Sequence, residues 1–429
     1  MMKPLVVAAL LVAASIPGFA GPASSVPGET LMKGFPPAEE LRVNRDNLML
    51  PPYNGWAFQH IRELQPTREV YRGAGETTAL ESAPVNLADR SYVVGGQRKI
   101  TLDEWLEEAA TDAFVVLHKG KVVYERYLNG QQEHTQHQMF SATKSFVGTL
   151  MLMLIDEGKV DPSRTMQSYV PELKGSAFAD ATVQQVLDMT TSISFSEEYT
   201  NPQADIWAYG YVFGLSDVAD QDRKFNSIYD YLPTLGKTEK FKHGDAFHYA
   251  TPNTDALAWV LSRVSGQSLS ELIATRFLQP LGAQRDAYIW LDRSGTEMAG
   301  GGLNITARDA ARFGQMILQK GRYNGHQVIP ATVARRIMTP GNPETFSRFY
   351  PGEPWYENVG HSYHDMWWSF QNDHQAVAAM GVHGQFIYID PAAEMVVVKQ
   401  SSHAEAEGES NEVDGPMIWQ AIAERLLAR

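Results

Sequence analysis

β-rich runs stand at the two ends of the body of this 429-residue chain, and the long stretch between them reads as helix. Ala113–Leu117 and Lys121–Tyr127 flank a turn at His118-Lys119-Gly120 and predict a hairpin. Gly384–Ile389 and Glu394–Lys399 flank a second turn at Asp390-Pro391. Between them lie apolar patterns of helical period over Phe140–Gly158, Val183–Met189, Thr254–Val264, Leu269–Phe277 and Thr306–Gln319. Strands parted by so much helix predict a mixed α/β (α+β) fold, in which one antiparallel sheet is split in sequence by an inserted all-helical lobe, residues 150–299. Helices at Thr101–Ala110 and Pro416–Leu427 should flank that sheet, the first opened by Thr101 with Glu104 in capping-box relation.

Residues 21–100 are rich in proline and glycine and show little sustained period, so they predict an N-terminal extension to a main domain at residues 101–429. Trp56, Phe58 and Tyr71 are too apolar for a free linker, which lays this extension over the main domain. Residues 1–20 have another character: Lys3, an apolar run from Pro4 to Ile16, and small residues at Gly18 and Ala20. They read as a secretory signal peptide, because the run is shorter than the roughly 20 residues a bilayer span needs. The expectation is export to the periplasm or the extracellular space, with no membrane association after cleavage.

A formal charge of −14 with no basic block makes the surface repel a phosphate backbone, so nucleic acid is excluded as a partner. The absence of cysteine removes thiolate nucleophiles, iron–sulfur clusters and cysteine-ligated zinc together.

The chemistry begins at Phe140-Ser141-Ala142-Thr143-Lys144-Ser145-Phe146. Residues three apart at a helix start share a face, so Ser141 and Lys144 can meet. A serine hydroxyl is a weak nucleophile until a base takes its proton, and a lysine whose pKa is lowered by burial can serve. First-turn N–H groups face any oxyanion formed there. A chain of this length shows Ser-x-x-Lys about once by chance. Context raises this occurrence: it follows a hairpin and a loop, and its helix is too apolar to be exposed.

That motif resembles the nucleophile motif of the serine β-lactamase and penicillin-binding superfamily, in its branch of class C-like esterases and 6-aminohexanoate-dimer hydrolases. The resemblance runs from about Thr101 to the C-terminus. It extends to Tyr249-Ala250-Thr251, at the place of the family's catalytic tyrosine, with Thr251 where class C β-lactamases carry asparagine. It implies a β-lactamase-like fold and a catalytic set of Ser141, Lys144 and Tyr249, the proton passing through the tyrosine or the lysine. The family's third element, a strand lining the site, falls on Ala379-Met380-Gly381-Val382 or, one turn on, on His383-Gly384-Gln385. The first register leaves Gly381 bare beside the serine and sets the Val382 N–H with that of Ser141 as the oxyanion hole. It also leaves no cation in the strand, which together with Thr251 argues against a potent β-lactamase.

The resemblance therefore implies a serine hydrolase that cleaves a small-molecule ester or unstrained amide through an acyl-enzyme on Ser141; with the leader it is expected to be secreted, and without cysteine or a His-Glu-x-x-His motif to need no cofactor or metal. A nylon-oligomer-type amidase, a D-amino-acid peptidase or a weak β-lactamase is the alternative within enzymes. A non-catalytic penicillin-recognising binding protein is the alternative outside them. Tyr199, Gly381 and His383 are the candidate substrate-binding residues. Met338–Gly360, with Phe346, Phe349, Tyr350, Trp355 and Tyr356, is a candidate acyl-pocket wall. The pairs His134/His137 and His361/His364 have ligand-like spacing but no companion acid motif, and read as polar loops. Gly300-Gly301-Gly302 reads as a closely packed turn near the nucleophile.

Overall fold

A computed structural model describes residues 30–88, 90–215, 224–348 and 361–428. The leader and four of the proposed wall aromatics, Phe349, Tyr350, Trp355 and Tyr356, lie outside them. No helix among the described residues is long and apolar enough to cross a membrane.

The main sheet has seven antiparallel strands in the order His361–His364, Trp367–Phe370, Val377–Gly381, Gln385–Asp390, Met395–Ser401, Thr111–His118, Lys121–Tyr127. The sequence split is closed where Met395–Ser401 pairs with Thr111–His118, from Met395 opposite His118 to Ser401 opposite Thr111. Met395–Ser401 is buried along its whole length. A strand covered on both faces reads as a continuous apolar run rather than an alternation, which accounts for Met395-Val396-Val397-Val398.

The two coverings can be read off neighbouring residues of Gln385–Asp390. Phe386 and Tyr388 pack on Trp419 of the terminal helix Gly415–Leu427, with ring centroids 4.6 and 5.2 Å apart. Ile387 points to the other face, against the helix Ala307–Leu318. That helix carries Gly314, where a Cβ would lie 2.7 Å from Val396 and 2.9 Å from Ile387. The glycine therefore sets how closely helix and sheet approach.

Local chemistry fixes many of the ends. Thr101 and Glu104 close a reciprocal capping box on the helix Leu102–Glu108, as do Thr182 and Gln185 on Val183–Leu187. The hairpin turn takes Lys119 and Gly120 through φ +50° and +78°, the left-handed pair that a two-residue loop between twisted strands requires. Gly266, at φ +71°, stops Pro252–Ser265.

A second, four-stranded sheet lies beyond the sequence reading: Thr67–Val70, Ala287–Trp290, Leu303–Ile305 and His137–Gln138. Its first strand comes from the N-terminal segment and pairs with Ala287–Trp290, a strand inside residues 150–299, so the inserted lobe is not all-helical. Of the three aromatics in that segment, Phe58 is fully buried, Trp56 is partly buried and Tyr71 is exposed. His137 and His361 are not in polar loops. His137 is buried in its strand with Nε2 2.9 Å from Asp112, and His361 begins the edge strand, also buried.

Candidate active site

Ser141 sits in a 3₁₀ turn, Phe140–Ala142, that leads straight into the helix Thr143–Asp156. Residues 143–154 of that helix are all buried, because it runs through the middle of the molecule. Lys144 is thereby drawn out of water: it is 1% exposed, and burial lowers its pKa from 10.5 to about 8 against the opposing pull of Glu197 and Asp255. Its Nζ donates to Ser141 Oγ at 2.8 Å and to the Gly300 carbonyl at 2.6 Å. The pairing predicted from a spacing of three residues is thus present, in a lysine that can lose its proton near neutral pH.

The residue before the nucleophile is held in an unfavourable conformation. Phe140 has φ +43°, which a side chain with a Cβ adopts at a cost of about 1–3 kcal/mol. Its ring is pinned edge-on to Phe58 with centroids 4.8 Å apart, and lies 5.4 Å from the His383 ring. The Phe58 carbonyl also accepts from the Gln138 N–H at 2.9 Å, so the N-terminal segment props the nucleophile turn.

Tyr249 precedes the helix Pro252–Ser265 and lines the same cleft as Ser141. Lys144 Nζ stands 5.1 Å from the centre of its ring, and the opposite support is Trp368, stacked at 5.7 Å. Behind it Phe247 packs on Phe346 at 4.7 Å, so Phe346 braces this aromatic cluster and does not line the cleft.

Gly381 ends the strand Val377–Gly381 hard against the nucleophile. A Cβ there would fall 2.4 Å from the Met139 carbonyl and 3.1 Å from the N atoms of both Ser141 and Ala142. Val382 follows and lines the cleft. The first register is the one realised, for Gly384 meets Asn411 and Lys399 and not the nucleophile turn. His383 does not reach the cleft as a substrate-binding residue: at φ +62° its Nδ1 lies 2.7 Å from the His403 carbonyl and its ring packs on Phe58 and Phe140. The positive φ turns its side chain inward, a direction that spacing alone does not give.

The cleft has a volume of about 520 Å³. Tyr199 lines it, and its hydroxyl donates to Glu197 Oε2 at 3.1 Å. Glu197 was not singled out by sequence. Its other oxygen accepts from the Thr251 N–H, tying the Tyr199 loop to the turn that carries Tyr249, and burial raises its pKa. The acid two residues before Tyr199 was the available signal. Gly300 forms the far wall of the lysine site, with no space for a side chain: a Cβ would stand 2.4 Å from Thr251 and 2.5 Å from the Tyr209 hydroxyl. Outside the cleft, Asp188, His364 and Asp365 bring three ligating atoms within 4.8 Å of one another. The Asp365 carboxylate is already engaged by Arg336 and by His364 Nδ1.

A split antiparallel sheet with a helical insertion, and a serine bonded to a buried lysine at their junction, define the serine β-lactamase-like class of hydrolases. Residues 102–415 match the family model described as Beta-lactamase, and the chain belongs to that family. It is 35% identical to the 6-aminohexanoate-dimer hydrolase of Paenarthrobacter ureafaciens over 377 residues, 86% of this chain and 90% of that one. A solved Bacillus anthracis structure assigned as a 6-aminohexanoate-dimer hydrolase superposes with a TM-score of 0.82 at 33% identity, covering 91% of this chain and 98% of its own. A family VIII carboxylesterase, at 17% identity, shares the fold with a TM-score of 0.53 over 75% of this chain and 96% of its own.

Proposed function

We propose that this hydrolase cleaves esters or unstrained amides of small molecules through an acyl-enzyme on Ser141. The carrying observation is the 2.8 Å contact of Lys144 Nζ with Ser141 Oγ, made by a lysine whose pKa burial brings to about 8. Near and above that pH the neutral amine can accept the serine proton as Oγ attacks the carbonyl carbon. Tyr249, on the same cleft wall, relays the proton onward to the leaving alcohol or amine. The carbonyl oxygen becomes an oxyanion facing the N–H groups of Ser141 and Val382, the second next in the chain to Gly381, which packs bare against the Ser141 N–H. Water then attacks the acyl group by the same route in reverse, returning the proton to Ser141.

Identity to the Paenarthrobacter 6-aminohexanoate-dimer hydrolase over most of both chains favours an amide of 6-aminohexanoate units as one substrate. Tyr199 closes over it from the Glu197 loop. The N-terminal apolar run supports export to the periplasm or outside the cell. Hydrolysis of p-nitrophenyl acetate and butyrate by the purified protein tests the reading. Turnover is expected, and a protein that binds these esters without releasing p-nitrophenol would be the non-catalytic binder instead.

A further inference from the structure

Lys144 makes one hydrogen bond within its own segment, to Ser141, and one outside it, to the Gly300 carbonyl. The orientation of the Gly300 peptide therefore decides where the amine sits. Asp255 holds the backbone that leads into that carbonyl from its N-terminal side: its Oδ1 accepts from the Ala299 N–H at 3.0 Å and the Gly300 N–H at 3.3 Å. Asp255 Oδ2 accepts in turn from the Tyr209 hydroxyl at 2.9 Å. Asp255 and Tyr209 are each 1% exposed, and they come from different helices, Pro252–Ser265 and Asp205–Val212. Gly300 fits closely against Thr251, Tyr209 and the Asp255 carboxylate, so that a Cβ there would lie 2.4, 2.5 and 3.0 Å from them.

We propose that Asp255 is the positioning residue of the catalytic lysine, acting through the Gly300 carbonyl in a continuous chain Tyr209–Asp255–Gly300–Lys144–Ser141. An acid in the first turn of a helix ordinarily serves the helix dipole at the surface. Asp255 is instead buried with all its neighbours specified, and it is a carboxylate facing the lysine. The charged and titratable groups around Lys144 are Asp255 from the Pro252–Ser265 helix, Glu197 from the loop that carries Tyr199, and the phenol of Tyr249. Asp255 itself faces Tyr209 and Lys144, and burial raises its pKa to about 7. Its negative charge favours the lysine's proton, so the residue fixes the amine's place and also the pH at which it becomes a base.

The inference rests on the reading of Lys144 as the group that takes the serine proton. Asp255→Ala frees the Ala299 and Gly300 N–H groups that lead into the carbonyl and should cut kcat by about 10²-fold with little change in KM, the usual cost of a small misplacement of a catalytic group. Asp255→Asn keeps an acceptor for the two N–H groups but removes the charge. It should retain more of kcat while moving the acid limb of the kcat/KM profile to lower pH, a shift that a purely structural role would not produce. Should the alanine variant fail to fold, the asparagine variant decides alone. An active wild type together with an unshifted Asp255→Asn profile overturns the role of Asp255 and leaves the lysine reading intact. An inactive wild type overturns the lysine reading instead.

Discussion

Replacing Lys144 by methionine, which has a similar length and no charge, should make the protein more stable and less active at once. Lowering a lysine from 10.5 to about 8 by burial means that the folded state holds its charged form at a penalty of about 3 kcal/mol. The Gly300 carbonyl would lose its partner in the variant, which costs about 1–2 kcal/mol. The net is a gain of about 1–2 kcal/mol at pH 7. Its sign with pH follows from the depressed pKa: below about 8 the lysine is charged in both folded and unfolded chains and the penalty is fully present. It fades as pH rises toward the unfolded value and is gone above it. Turnover should fall by about 10²–10⁴, the worth of general-base help, which is about 3–5 kcal/mol of transition-state stabilisation. Thermal unfolding of wild type and variant from pH 6 to 10, beside kcat/KM for p-nitrophenyl butyrate, measures both. A variant that keeps its turnover, or is destabilised equally at every pH, would refute the argument.

Tyr249→Phe should lower kcat by about 10²–10⁴ with little change in KM, and combined with Lys144→Met it should lose far less than the two losses together, since both serve one proton transfer. Steady-state kinetics of the two single variants and the double variant reads this directly. Gly381→Ala should lower kcat by about 10²–10³ by driving a methyl into the Met139 carbonyl and the Ser141 N–H, while ester KM stays near that of wild type. Wild-type kcat/KM should rise through a limb near pH 8 as Lys144 loses its proton, and in Lys144→Met that limb should vanish from the profile. Treatment with EDTA should leave turnover unchanged, measured before and after zinc is restored.

What could be read from the sequence was what neighbouring residues decide. The capping box at Thr101, the Lys119-Gly120 turn and the Ser141–Lys144 pairing each depend on residues a few positions apart. The strand Thr67–Val70 could not be read, since its four residues are specified by pairing with Ala287–Trp290, more than two hundred positions away. The inward turn of His383 depends on a backbone angle and on Phe58, a residue of the distant N-terminal segment. Asp255 stood inside the segment that carries Tyr249, but an acid in a first turn looks the same whether solvated or buried. Only the packing of Tyr209 and Gly300 around it tells the two apart.

The central claim is that Ser141 carries the acyl group. Mass spectrometry of the protein treated with a fluorophosphonate should place a single adduct on the peptide containing Ser141, and Ser141→Ala should fold normally, take no label and turn over no ester. A label on another serine, or esterase activity that survives in Ser141→Ala, would contradict it.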